Sequence, residues 1–143
     1  MNPNPRYVFD ANVVISALLF EKGTAGQAFY TALGRGRILL SDEVTQEINT
    51  VLSREKFNRY VAFEERERFM QRFIQEALLI EITEKILECQ DQKDNKYIEL
   101  GVCGEASHLI TGDQDLLILN PFREIRILTP RVFLNFMGKR ESG

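Results

Sequence analysis

A chain of 143 residues, 44% of them apolar, suits one domain with a buried core, and it has no uninterrupted apolar run near the roughly 18 residues that span a bilayer. Its net charge of −3 argues against the broad basic face that grips duplex DNA through many phosphates, while leaving room for a local basic patch. With only Cys89, Cys103 and a single histidine, His108, there are too few parts for disulfide frameworks, thiolate–zinc sites or Ser-His-Asp chemistry, so any metal site must be built from oxygen ligands.

Taken in order, the opening Met1-Asn2-Pro3-Asn4-Pro5 has neither the charged nor the apolar region of a signal peptide, and a cytoplasmic protein is expected. Tyr7-Val8-Phe9 reads as a first strand from Arg6 to Phe9, with Asp10 to Asn12 turning into a helix through about Phe20. A loop at 21–24 leads to a short helix from about Ala25 to Leu33 that Gly34 can close, and Arg35-Gly36-Arg37 places two positive charges on a turn. Ile38 to Leu40 is a second strand. Ser41 or Asp42 can cap the next helix, where Val44, Ile48, Val51 and Leu52 recur at helical spacing and leave Glu47 at the edge of the buried stripe.

Arg54, Lys56 and Arg59 follow, with Phe57 and Tyr60 between them. The strongest helical pattern runs from Glu64 to Leu78, with Phe69, Met70, Phe73, Ile74, Ala77 and Leu78 on one side. Leu79 to Ile82 reads as a short strand and Lys85 to Asp94 as a polar connection. A helix then starts at Asp94 or Asn95 and stops near Gly104. Ser107 to Ile110 is an apolar strand that breaks at Thr111-Gly112 and presents Asp113 and Asp115; Leu116 to Leu119 is a single helical turn. A last strand at Ile125 to Leu128 leads through Thr129-Pro130, a capping hydroxyl and a first-turn proline, into a final helix. Strands alternating with helices predict one domain over 1–143, with its core at about 6–137: a three-layer α/β/α sandwich with a mainly parallel central sheet.

The six aspartates, Asp10, Asp42, Asp91, Asp94, Asp113 and Asp115, each fall at a strand end or helix start. Helix capping explains any one of them. It does not require Asp10, Asp94 and Asp113, with Glu47, to occupy corresponding rims of successive β-α units. Carboxylates crowded on one rim repel unless a cation neutralises them.

The segments Phe9-Asp10-Ala11-Asn12-Val13, Glu47 after Leu40-Ser41, Lys93-Asp94-Asn95-Lys96-Tyr97 and Leu109-Ile110-Thr111-Gly112-Asp113-Gln114-Asp115-Leu116 resemble the four acidic motifs of PIN-domain ribonucleases. The similarity is nearest to the PIN-family toxins of toxin–antitoxin systems, extends from about Arg6 to Met137, and includes the ending Ile-Leu-Thr-Pro-x-x-Phe at 127–133. Where that subgroup often shows Arg-Asp-Pro-x-Asp, this chain has Gln90-Asp91-Gln92-Lys93-Asp94, which keeps both acids and drops the basic residue.

The resemblance implies an endoribonuclease that cleaves single-stranded RNA with Mg²⁺ or Mn²⁺, leaving a 5′-phosphate and a 3′-hydroxyl. It implies a catalytic, metal-holding centre of Asp10, Glu47, Asp94 and Asp113, supported by Asp115, Asp91, Asn12 and Thr111, and an antitoxin protein as a partner. A catalytically idle PIN-like module that binds RNA or protein is the alternative; metal-dependent RNA cleavage separates the two. Two further expectations come from the residues themselves. Arg35, Arg37, Arg54, Lys56 and Arg59 are the candidates for a phosphate-binding rim. The crowding of Phe57, Tyr60, Phe63, Phe69 and Phe73 in one span predicts a homodimer or a larger even oligomer.

Overall fold

The computed structural model describes residues 4–142, with side chains as far as Gly138. Met1 to Pro3, part of the segment read for a leader, and Gly143 lie outside the described residues.

Five strands form one parallel sheet: β1 (Arg6–Phe9), β2 (Arg37–Leu40), β3 (Leu78–Leu79), β4 (His108–Ile110) and β5 (Arg126–Leu128), in the order β3-β2-β1-β4-β5. β1 is central and is buried from Tyr7 to Phe9, as a parallel strand covered on both faces must be. Tyr7 and Phe9 face one layer, where Phe133 of α7 (Pro130–Ser142) and Phe29 of α2 (Thr24–Arg35) each meet them edge-on with ring centroids 5.4 Å apart. Val8 faces the other layer, where α5 (Asn95–Cys103) lies so close that a Cβ on Gly101 would stand 3.0 Å from the Ile125 side chain. Helices on both faces of a parallel sheet make the three-layer α/β/α sandwich that the alternation of elements predicts.

Several boundaries differ from the sequence reading, each for a local reason. Helix α2 continues through Gly34 to Arg35, because the close approach is two residues further on: a Cβ at Gly36 would sit 1.9 Å from the Pro5 carbonyl oxygen. The third strand is Leu78–Leu79 rather than Leu79 to Ile82, since it pairs only with the last two residues of β2 and leaves the sheet where that strand ends. Leu78 therefore belongs to a strand, and α4 (Phe63–Glu76) stops short of it. The turn after β4 is α6 (Gln114–Leu117), begun early because the Asp113 carboxylate accepts the Asp115 N–H at 2.9 Å.

On α4 the buried stripe is Arg66, Met70 and Phe73, and Ile74, expected inside, is 37% exposed. Arg66 is only 1% exposed: its guanidinium donates to the carbonyls of Leu52 and Arg54 and to the Asn58 side chain. It thereby ties α4 to the end of α3 (Asp42–Leu52) and to the loop that carries the basic residues.

Candidate active site

In a sheet of this order the chain leaves β1 toward β2 on one side and returns to β4 on the other, so the carboxyl ends of β1 and β4 flank the topological switch point where ligands of open parallel sheets bind. Phe9 pairs with Ile110, which puts Asp10 and Thr111 side by side just beyond the strand ends. Asp10 starts α1 (Ala11–Leu19): one carboxylate oxygen accepts the Val13 N–H at 2.9 Å, and the other accepts the Thr111 hydroxyl. Thr111 is fully buried, and its oxygen also accepts the Asp113 N–H at 3.0 Å, so one hydroxyl fixes an acid from each strand. Burial holds the Asp10 carboxyl above the usual carboxylate range against the two hydrogen bonds that favour its ionised form, and the charges of Asp113 and Glu47 push the same way as burial.

Asp94 arrives from a different element, the short 3₁₀ turn Gln92–Asp94 that leads into α5. It is 8% exposed, and its Oδ2 is buried without a hydrogen-bond partner. Burial, then a hydrogen bond with the Asp113 carboxyl and the charges of Asp113, Asp91 and Asp115, push its pKa from 3.8 up to about 7. Asp91 caps the 3₁₀ turn by accepting the Lys93 N–H at 3.0 Å. Asp91, Asp94 and Asp115 each offer one carboxylate oxygen, all within 4.8 Å of one another, the spacing at which a hard divalent ion can be shared. An all-oxygen donor set with one buried, unpartnered carboxylate oxygen fits Mg²⁺ or Mn²⁺ and suits softer metals poorly.

Glu47 reaches the site from α3, which Ser41 rather than Asp42 caps, and its Oε2 lies 2.6 Å from the Lys96 ammonium. Asn12 is exposed on a 400 Å³ cleft that Asp10, Gly112, Asp113 and Pro130 also line. The eight acidic and supporting residues singled out in the sequence thus gather around the carboxyl ends of β1 and β4, with Asp113 linking the Asp10 side to the Asp94 side.

The basic candidates divide. Arg37 opens β2 opposite Arg6, at the end of the sheet away from Asp10, and Arg35 closes the helix just before it, so these two do not share a rim with the acids. Arg54, Lys56 and Arg59 are exposed in the loop after α3, and Tyr60 beside them meets Phe20, the residue that ends α1, edge-on at 6.0 Å.

Lys96 and Tyr97 escaped the sequence reading as members of the site. Tyr97 is buried, and its phenolic oxygen accepts the Ala11 N–H at 3.1 Å. Burial and the neighbouring Glu47 and Asp10 raise its pKa far above the ordinary phenol value. A lysine in the first turn of a helix, where the dipole disfavours a cation, was the available signal that a carboxylate stands opposite. His108, the single histidine, is buried in β4. The buried Cys89 thiol, pushed up to about 11 by burial and the acids, stays protonated.

A family profile described as PIN domain matches residues 6–115. The chain belongs to the PIN-domain family. No curated protein matches it significantly. Among solved structures, this PIN domain is similar to VapBC2 from Rickettsia felis bound to a DNA fragment from their promoter, with TM-score 0.58 and 13% identity over 85% of this chain and 98% of that one. It is similar also to PAE2754 from Pyrobaculum aerophilum, with TM-score 0.62 and 14% identity over 94% and 90% of the two chains. These likenesses are of fold. No helix among the described residues of the PIN domain is long and apolar enough to cross a membrane.

Proposed function

We propose that this PIN domain is an endoribonuclease that cleaves single-stranded RNA with Mg²⁺ or Mn²⁺, and that it is the toxin of a toxin–antitoxin pair. The observation that carries the reading is Asp94: a nine-tenths buried carboxyl with an unpartnered oxygen, pushed up to about 7 among other acids, is costly unless a cation uses it. Asp94 and Asp113, with Asp91 and Asp115, are the residues that would hold the ion, and Asp10 and Glu47 complete the acidic centre beside them. Bound there, a divalent ion supplies Lewis acidity, lowering the pKa of water and neutralising charge on the phosphate.

The chain's own groups do the rest. With its pKa raised to about 7, Asp94 would exchange a proton for a cation held there. Thr111 keeps the Asp10 carboxylate from turning away and fixes the Asp113 backbone, so the acids need no reorganisation when substrate enters. Asn12, exposed on the cleft, can donate to a phosphate oxygen. Arg54, Lys56 and Arg59 attract the RNA backbone, and Tyr60 with Phe20 offers aromatic faces to unpaired bases.

The toxin role rests on the likeness in fold to VapBC2 and on a groove of 320 Å³ between α2 and α4 that a partner segment could fill. Phe29, Leu33 and Phe69 make its floor, and Arg68 and Arg72 stand on its rim. The exposed apolar side chains Phe63 and Ile74 on α4 support a homodimer or a larger even oligomer.

The test is cleavage of a labelled single-stranded RNA with and without Mn²⁺ or Mg²⁺. Cleavage should need the ion and disappear in Asp94→Asn and Asp113→Asn. A protein that binds RNA but never cuts it, at any ion concentration, would instead be an idle binding module.

A further inference from the structure

Lys96 is the cation that the acidic centre already owns. Its side chain is 12% exposed, its ammonium lies 2.6 Å from Glu47 Oε2, it donates to the Lys93 carbonyl at 2.5 Å, and it sits 5.6 Å from the centre of the Tyr97 ring. These contacts come from α3, from the turn before α5 and from α5 itself, so the position is fixed from several elements and is not that of a wandering surface lysine.

The acids around it fall into two groups that share Asp113. Asp91, Asp113 and Asp115 act on Asp94, whereas Asp113 and Glu47 act on Asp10. The Asp94 group has close oxygens and a buried oxygen without a hydrogen-bond partner. On the Asp10 side, Asp10 accepts the Thr111 hydroxyl and the Val13 N–H, and Glu47 Oε2, which makes no hydrogen bond, faces the Lys96 ammonium as an ion pair at 2.6 Å. Repulsion acts on both sides, but on the Asp10 side an ammonium already stands against it, whereas three carboxylate oxygens on the Asp94 side lie within 4.8 Å of one another.

We propose that the Lys96 ammonium, seated on Glu47, occupies the flank where a second divalent ion would otherwise bind, so that the chain takes a single divalent ion on the Asp94 side. The inference rests on the metal-dependent reading given above and narrows it: Glu47 serves as the seat of an internal cation rather than as a ligand. The same arrangement leaves a fixed positive charge on Glu47 whether or not the divalent ion is present.

The test is Mn²⁺ binding to the full chain without RNA, followed by the loss of the free-ion signal in electron paramagnetic resonance. Wild type should bind one Mn²⁺ per chain, and Asp94→Asn should lose it. Lys96→Met keeps the stem against Tyr97 but removes the charge; it should bind two, and Lys96→Met with Glu47→Gln should return to one. Lys96→Arg, which retains a cation, should stay at one. Wild type binding two ions, or a folded Lys96→Met binding one with unchanged affinity, would overturn the proposal while leaving a metal site in place. Should wild type bind no Mn²⁺ at all, the metal-dependent reading falls and takes this inference with it. If Lys96→Met does not fold, the wild-type and Lys96→Arg counts still decide between one ion and two.

Discussion

The Thr111 hydroxyl donates to the Asp10 carboxylate across the seam between β4 and β1, joining residues 101 positions apart in the chain. Because the same oxygen accepts the Asp113 N–H, it is the shared support of two acids, and support of this kind typically changes metal affinity or activity by about 10–100-fold when removed. Thr111→Val keeps the shape and deletes both bonds. Its cleavage rate should fall by about that factor, and urea unfolding should show a loss of about 1–3 kcal/mol, the usual cost of stranded buried polar groups.

Asp94 makes stability depend on pH in an unusual direction. Its folded-state pKa is raised from 3.8 to about 7, so between those values the folded protein holds a proton that the unfolded chain has lost. Stability from this group is present at low pH and is lost as pH rises toward and through 7. The ion-free protein should therefore melt at a lower temperature at pH 8 than at pH 5.5. In Asp94→Asn that difference should shrink, and at pH 8 the variant should melt at or above the wild-type temperature. Melting curves of both proteins at the two pH values, with a chelator present, decide the point.

Cation binding competes with the same proton. At pH 6 a large part of the Asp94 population is protonated, so Mn²⁺ binding should release close to one proton there and much less at pH 8.5. Calorimetric titrations in buffers of different ionisation enthalpy measure the number directly. Ion at about 100 times its dissociation constant should stabilise the fold by about 2.7 kcal/mol, visible as a rise in Tm.

Arg66 holds the end of α3 and the basic loop through the Leu52 and Arg54 carbonyls and the Asn58 side chain. Arg66→Ala removes a fully buried side chain and strands these acceptors, and should cost about 3 kcal/mol in denaturant unfolding. Arg68→Ala, two residues away and exposed, should stay within about 0.5 kcal/mol. Equal effects would mean that the buried network contributes nothing specific.

The loop that Arg66 secures carries the charges expected to meet RNA. Reversing Arg54 and Lys56 to glutamate should weaken single-stranded RNA binding uniformly across sequences and flatten its dependence on salt by about one to two units of slope. The same reversals at Arg35 and Arg37, which lie toward the other end of the sheet, should leave both quantities nearly unchanged.

The alternation of strands and helices and the acid after each of β1 and β4 are legible in the residues alone, because periodicity, caps and strand ends are properties of a few consecutive residues. Asp10, Asp94 and Asp113 were legible for that reason: each stands where an apolar run or a polar connection meets a helix start. Which of them touch depends on how the elements pack. Sheet order brought Thr111 to Asp10, the packing of α3 against α5 brought Lys96 to Glu47, and the direction of β2 carried Arg35 and Arg37 away from the acids. The burial of Arg66 was hidden for the same reason, since a charged residue on a charged helix reads as solvated until the carbonyls that satisfy it are folded against it. Spacing along one element is fixed by 3.6 or 2 residues per repeat. Contacts between elements depend on strand order and register, which no short window of residues contains.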